Sequence, residues 1–348
     1  MNRLRIDAFR NLAGIDIAPH GRLNVITGAN GAGKTSVLEA IYFLGRIRSF
    51  RSRRLDRLVQ WGAEEARVVA DRGADRLGIA RRPGATRLRL NGKEGAARSE
   101  LAARLPVQVI NTEHQRLLLD GPRVRRQVMD WGTFHVEPRF HATAQRYHQA
   151  LRQRNAALRR DDQRAEAAWR PLLAEAAAEL DAARERFVSA LHEAWDPRAR
   201  SWLGASGLSL DYYRGGERGA SWQQILETSL DRDRDAGFTT RGPHRADLVL
   251  RYNGVPASEA LSRGQQKLLV VALLVAETRL WAERGAEPIL LIDDLPADLD
   301  RTHLAAVLDT ITDEPIQAFL TAIDAAALPP LPPAQWYAVR DGALASMV

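Results

Sequence analysis

Residues 23–36 read LNVITGANGAGKTS: an apolar run, a glycine-rich loop, then a lysine, a threonine and a serine. Lysine is scarce in this chain. Of its 50 basic residues only Lys34, Lys93 and Lys267 are lysines, and the rest are arginines. Lysine at position 34 therefore calls for a physical reason. Leu23, Val25 and Ile26 predict a strand running into the loop, and Val37, Ile41 and Leu44 predict a helix over 34–44 leaving it. Gly28 to Thr35 fit G-x-x-x-x-G-K-[ST] in the strand–loop–helix context that the motif requires. Its glycines let successive backbone N–H groups turn inward as an anion nest, and the positive end of the helix adds to the field. A compact ammonium at Lys34 meets the β- and γ-phosphates of a nucleotide, where a planar guanidinium is too broad. Thr35 offers its hydroxyl to Mg²⁺. The expected ATP-binding set here is Gly28, Asn30, Gly31, Ala32, Gly33, Lys34, Thr35 and Ser36.

Two further stretches narrow the class. PILLIDD (288–294) is an apolar strand ending in two carboxylates. Asp293 suits the Mg²⁺ shell with Thr35, and Asp294 lies where a carboxylate polarises an attacking water, so Lys34, Asp293 and Asp294 are the catalytic candidates. In ALSRGQQKLL (260–269), Ser262 and Gly264 precede a helix beginning near Gln265. A hydroxyl and free backbone N–H groups then face outward at a positive helix end, forming a second anion site; the plainer alternative is a helix cap by Ser262. Two phosphate sites in one fold make sense if two chains meet head to tail, each closing the other's nucleotide.

Composition bounds the rest. A chain of 348 residues has room for about two domains. It has no cysteine, which excludes thiolate metal sites and cysteine nucleophiles. The opening MNRLRIDAFRN has no apolar signal-peptide core, and the longest apolar stretch, Leu268 to Ala276, is too short to span a bilayer. The expectation is a cytoplasmic protein with no membrane partner. Net charge +7 favours an anionic partner, nucleic acid first, although a GC-rich genome would enrich arginine without any binding role.

The first hundred residues read as β-rich with one helix, and the Asn91-Gly92 pair predicts a hairpin. Val107–Ile110 is a further strand. From Arg123 to about Trp202 the pattern turns helical, with one helix through Ala144, Tyr147, Leu151 and Leu158. A longer one runs through Leu173, Leu180, Phe187 and Leu191. Strands return at 208–212 and 248–252, a helix at 265–282, strands at 289–292, 318–320 and 336–339, and a terminal hairpin at Asp341-Gly342. The expected fold class is α/β: a P-loop ATPase lobe on a mixed β-sheet core (1–122 and 250–348) plus a mainly helical lobe (123–249).

The order GANGAGKT, LSRGQQK, LLIDD and ADLD (297–300) resembles ABC-type ATPases, and more narrowly their SMC-like DNA-repair branch. FRNL (9–12), RSFRS (48–52), GPRVRRQVMD (121–130) and GPHRAD (242–247) are similar to the RecF family of bacterial recombination and repair proteins. That resemblance implies an ATPase that dimerises on ATP, recognises gapped or junction DNA, single- and double-stranded, and helps load recombinase onto strands coated with single-strand-binding protein. It also implies RecR and RecO as partners, and ATP with Mg²⁺ as cofactors. By residue it gives Ser262, Gly264 and Gln265 the trans-acting signature role and Asp300 the coupling of sites across the dimer, and it brings Arg10 and Asn11 near the nucleotide. Ala297-Asp298 departs from the family's Ser-Glu. NTEH (111–114) replaces an acidic run, leaving Glu113 or Gln115 as the Mg²⁺-sensing residue, and Thr321 stands roughly where transporter ATPases carry a switch histidine. Transport- or ribosome-associated ABC ATPases, and an adaptor with a vestigial site, are the alternative classes.

For DNA, Arg46, Arg48, Arg51, Arg53 and Arg54 fall in a run without acids, and Arg123, Arg125 and Arg126 form a second cluster. Both suit backbone phosphates rather than base edges, and solvated loops or internal ion pairs are the alternative. His244 and Arg245 are open between dimer, DNA and nucleotide-sensing roles, with a satisfied interior histidine as the plain reading.

Overall fold

The computed structural model describes residues 1–295 and 299–347, so the Ala297-Asp298 departure lies outside the described residues. The chain divides into two compact units, Met1–His114 with Trp281–Val348, and Gln115–Leu280. Unit one begins with β1 (Arg3–Phe9), β2 (Leu12–Ile17), β3 (Leu23–Thr27), α1 (Lys34–Arg46), β4 (Ala66–Arg72), β5 (Asp75–Arg82), β6 (Ala85–Leu90), β7 (Lys93–Glu94), α2 (Arg98–Arg104) and β8 (Val107–Ile110). The second unit follows with α3 (Arg116–Leu119), α4 (Pro122–Val136), α5 (Phe140–Arg159), α6 (Gln163–Leu203), β9 (Leu208–Tyr213), α7 (Trp222–Thr228), α8 (Leu230–Ala236), β10 (Asp247–Tyr252), β11 (Val255–Pro256), α9 (Ala257–Ala260) and most of α10 (Arg263–Glu283). Then β12 (Ile289–Ile292), α11 (Arg301–Asp313), β13 (Gln317–Ala322), β14 (Gln335–Arg340) and β15 (Ala343–Met347) complete unit one.

Unit one carries two six-stranded sheets. One is antiparallel, in the order β2-β1-β4-β5-β6-β7; the other runs β15-β14-β3-β13-β12-β8. Within the second, β14, β3, β13, β12 and β8 are mutually parallel where they pair. A parallel strand buried on both faces needs an unbroken apolar run, which Ile289–Ile292 supplies. The parallel arrangement brings the C-terminal ends of β3, β13 and β12 to one edge, which is where such sheets place ligands. Helix α1 packs its Val37, Leu38, Ile41 and Leu44 into a core shared with Leu4, Ile6, Val68, Leu291 and Phe319. The predicted Asn91-Gly92 hairpin forms, with φ of 51° and 82° at the two residues.

The second unit is built on α5 and the 41-residue α6. Alanines 174, 176, 177 and 183 on α6 let its face come close to Tyr147 and Ala150 of α5. A three-stranded sheet, β11-β10-β9, belongs to the same unit. The unit runs on to Leu280, beyond the expected return at 250, for a local reason. Strand β10 pairs with β9, Gln115 donates to the Arg263 carbonyl at 3.0 Å, and the Trp195 indole donates to the Leu269 carbonyl at 3.3 Å. No helix among the described residues is long and apolar enough to cross a membrane.

Candidate functional site

The loop between β3 and α1 is shaped by its glycines. Gly28 sits at φ 154° and Gly33 at φ 123°. An added Cβ would meet the Val339 carbonyl oxygen at 2.5 Å in the first case and the Leu12 side chain at 2.8 Å in the second. No larger residue fits either place. Lys34 is buried, and its ammonium donates to the Gly28 and Ala29 carbonyls at 2.7 and 3.1 Å, which points it back over the loop. Among the described residues α1 has no acid in its first turn to offset the field at its N-terminus.

Opposite the loop, the Thr35 hydroxyl donates to Asp293 Oδ1 at 3.0 Å. Thr35 is the second residue of α1 and Asp293 directly follows β12, so two residues 258 apart in sequence meet because β3 and β12 flank β13. Thr321, the fifth residue of β13, lies between them. Its hydroxyl donates to Asp293 Oδ1 at 2.9 Å and accepts from the Asp294 N–H at 2.9 Å. This buried hydroxyl therefore positions the carboxylate pair from the place where transporter ATPases carry a switch histidine. Burial pushes the Asp293 carboxyl up from its ordinary value, and the hydroxyls of Thr321 and Thr35 partly offset that. Asp294 has φ 56°, a conformation aspartate tolerates better than most residues and one that recurs at functional sites.

A divalent cation fits the Thr35–Asp293 pair. Mg²⁺ keeps water and phosphate oxygens and needs only one or two protein ligands, and the buried carboxylate is a hard oxygen donor that gains from a positive partner. Among the described residues no group of three or more His, Asp or Glu gathers as an all-protein cage. When bound, the ion would be held by Thr35 and Asp293 and would neutralise phosphate charge.

Around the loop lies a cleft of about 830 Å³, lined by Arg10, Asn11, Lys34, Arg54, Asp56 and Trp61 among others. Arg10 and Asn11 line this cleft with the glycine loop, and each is tied to its neighbours. Asn11 donates to the Gly31 carbonyl at 3.1 Å and accepts from the Ser36 hydroxyl at 2.8 Å. Arg10 makes a bidentate pair with the buried Glu39 of α1, at 2.9 and 2.7 Å. Ser36 therefore serves the loop's shape through Asn11.

In the second unit, Ser262 and Gln265 bond reciprocally. The Ser262 N–H donates to Gln265 Oε1 at 3.0 Å, and the Gln265 N–H approaches Ser262 Oγ at 3.4 Å, a capping box. Ser262, Arg263 and Gly264 are exposed at this helix end, and a Cβ on Gly264 would meet nothing within 4 Å. Gln115 is engaged with the Arg263 carbonyl, which ties it to this segment. Asp300, expected to couple two chains, caps α11 by accepting from the Thr302 and His303 N–H groups, each at 3.0 Å. Glu113 is exposed next to Asn111, which accepts from its N–H at 3.1 Å.

The family model described as the RecF/RecN/SMC N terminal domain matches residues 1–330. The DNA replication and repair protein RecF of Pseudomonas entomophila strain L48 is 43% identical over 333 residues, covering 93% of this chain and 91% of that relative. The chain belongs to the RecF family. The RecF protein of Pseudomonas putida strain GB-1 is 41% identical over the same length and coverage. Among solved structures, the recombination mediator protein RecF with ATP, in the RecFOR pathway, matches with a TM-score of 0.86 at 22% identity, covering 100% of this chain and 97% of that one. An Smc head bound to the C-winged helix domain of ScpA matches with a TM-score of 0.61 at 18% identity, covering 99% and 97%. At such identities the likeness is one of fold, and it is the SMC-like fold expected from the motifs.

The basic clusters divide. Arg48, Arg53, Arg54 and Arg123 are exposed and, among the described residues, have no carboxylate partner. Arg51 lies 3.5 Å from Glu39, and the Arg46 guanidinium lies 5.7 Å over the Tyr42 ring. Arg125 is corrected from a surface phosphate contact to an internal cross-link. It pairs with both oxygens of Asp247 at 2.8 and 2.9 Å and donates to the Asp120 carbonyl at 2.7 Å. Arg126 is half-buried and donates to the Ala246 carbonyl at 2.5 Å; burial, then the nearby Arg184, lowers its pKa. His244 accepts from the Tyr147 hydroxyl at 2.7 Å, and its other ring nitrogen lies 3.0 Å from the Thr239 carbonyl. Burial lowers its pKa to about 4, so it is a neutral, interior histidine.

Proposed function

We propose that this chain is an ATP-gated DNA-binding protein of recombinational repair and replication restart, acting in the cytoplasm. The observation that carries the reading is the meeting of Thr35 and Asp293 beside a glycine loop and a buried lysine, in a chain whose relatives are named for DNA replication and repair. Lys34 exchanges its two carbonyl partners for the β- and γ-phosphates of ATP. Thr35 and Asp293 hold Mg²⁺, and Asp294 orients the attacking water.

A second copy closes the site by presenting Ser262 and the free N–H groups of its signature helix to the γ-phosphate. Gly264 supports this reading: among the described residues nothing lies within 4 Å of a Cβ placed there, so a glycine leaves room for an incoming phosphate and a facing chain. Gln265 orders the loop through its bond to Ser262, and Asp300 stands one residue before α11, whose end it caps, as the residue coupling the two sites. The dimer then binds gapped or junction DNA, single- and double-stranded, through Arg46, Arg48, Arg51, Arg53, Arg54 and Arg123. With RecR and RecO it helps load recombinase onto strands coated with single-strand-binding protein, and slow, DNA-stimulated hydrolysis releases it. Lys34→Met is expected to abolish ATP-dependent dimerisation in sedimentation experiments while circular dichroism stays unchanged. If Lys34→Met still dimerises on ATP, the glycine loop is not the gating site.

A further inference from the structure

Trp61 is fully exposed, yet it lines the same cleft as Gly31, Lys34 and Thr35. Its position is set by a continuous series of bonds back to the glycine loop. The Ala63 N–H donates to the Gln60 carbonyl at 3.0 Å, and Gly62 takes φ 84°, a tight turn with the indole at its corner. The stretch before it is pinned to the end of β1: Arg10 N–H donates to the Leu58 carbonyl at 2.8 Å, and Gln60 N–H to the Ala8 carbonyl at 2.9 Å. Arg10 also donates to the Arg57 carbonyl at 3.0 Å while gripping Glu39 of α1, and Asn11 holds Gly31. Ala8 and Arg10 both carry positive φ, 48° and 55°, in this same corner. A fully exposed indole contributes no packing to its own chain, so the scaffold holds it for something outside the chain.

Asp56 lines the cleft as well. Its Oδ1 accepts from the Gly84 N–H at 3.0 Å and from Arg81 at 2.7 Å, and these two partners hold its carboxyl below the usual range. It is thus an acceptor with no proton to give.

We propose that Trp61 and Asp56 form the base end of the nucleotide cleft, the indole stacking on a purine and the carboxylate accepting from its exocyclic amine. Adenine offers that amine, whereas guanine presents an acceptor oxygen at the equivalent place, so the pair selects adenine. This inference rests on the nucleotide reading of the glycine loop and adds its base specificity.

Isothermal titration of the full chain with ATP, GTP and inorganic tripolyphosphate, each with Mg²⁺, separates the two. Trp61→Ala is expected to weaken ATP about 10-fold while leaving tripolyphosphate unchanged, and Trp61→Phe to retain most of the affinity. Asp56→Asn is expected to narrow the ATP-to-GTP preference, since an amide can donate to the guanine oxygen. Lys34→Met is expected to weaken all three ligands, and this reports on the phosphate cradle independently. If Trp61→Ala leaves ATP unchanged or weakens tripolyphosphate equally, the base-end assignment is overturned although the cradle stands. If wild type binds neither ATP nor tripolyphosphate, the cradle falls and the assignment with it.

Discussion

A buried network in the second unit and one exposed rim of unit one use arginine in opposite ways. In the second unit Arg154 is fully buried and bonds Glu166, Asp233 and Thr239 at 2.8, 2.7 and 2.8 Å. Arg184 is buried too, pairing with Asp130 at 2.8 and 3.1 Å and donating to the Pro243 carbonyl at 2.7 Å. These guanidiniums tie α4, α5, α6, α8 and the segment 239–243 together. On the rim of unit one, Arg48, Arg53 and Arg54 stand exposed with no carboxylate partner among the described residues, and Trp61 nearby in sequence is fully exposed. A planar fork with five donors suits both tasks, and only its surroundings decide which it performs. Arginine count therefore says little about nucleic acid here, whereas uncommitted arginine says much.

The sharpest way to break this contrast is to remove one fork of each kind. Arg154→Met leaves the buried Asp233 without its guanidinium and Glu166 with Arg170 alone, and should destabilise the protein by roughly 3–5 kcal/mol, read from urea unfolding. Unchanged stability would mean that the buried network is incidental.

Acid should distinguish the units next. His244 has its folded pKa lowered to about 4, so below its unfolded value of about 6.5 the unfolded chain takes up a proton that the folded chain refuses. Its contribution is complete above that pH and is lost as pH falls toward 4, up to about 3 kcal/mol in all. Glu166 acts lower. Burial pushes its carboxyl up, Arg170 and Arg154 outweigh that, and its stabilisation is lost only as carboxylates protonate in the unfolded state. His244→Gln should flatten the upper part of the stability profile and leave the lower part.

At the nucleotide site the sign reverses, because Asp293 is a buried carboxyl whose pKa is raised. Asp293→Asn should raise the melting midpoint, by about 1 kcal/mol of stability, while abolishing Mg²⁺-dependent hydrolysis. A lower midpoint would show that its bonds to Thr35 and Thr321 outweigh the cost of burying its charge. The smallest stability effect belongs to the exposed rim. Arg53→Gln with Arg54→Gln should change stability by less than about 0.5 kcal/mol yet reduce the salt dependence of DNA binding by a slope of roughly two.

What was legible in the sequence was local. The glycine loop, the apolar Ile289–Ile292 strand, the Asn91-Gly92 hairpin and the long amphipathic α6 each announce themselves within a dozen or so residues, because their signals are steric or periodic. Pairings that only the tertiary fold creates were not legible. Thr321 reaches Asp293 because β13 lies between β3 and β12, and Arg125 reaches Asp247 across 122 residues. Strands β4 and β5, rich in arginine and short of clear alternation, gave no separate signal. Trp61 carried no motif at all. Its one cue was a tryptophan placed beside glycine in a polar stretch, which becomes meaningful once the Ala8–Arg10 corner is seen to hold it.

The central claim is a site completed by two chains, and mixing two inactive variants tests it most directly. Lys34→Met lacks a working cradle, Ser262→Arg lacks a working lid, and each alone should fail to hydrolyse ATP in single-turnover assays with gapped DNA. Mixed together, they form pairs in which the cradle of one meets the lid of the other, and hydrolysis should return in part. If the mixture stays as inactive as its components while both variants remain folded, the shared site does not exist.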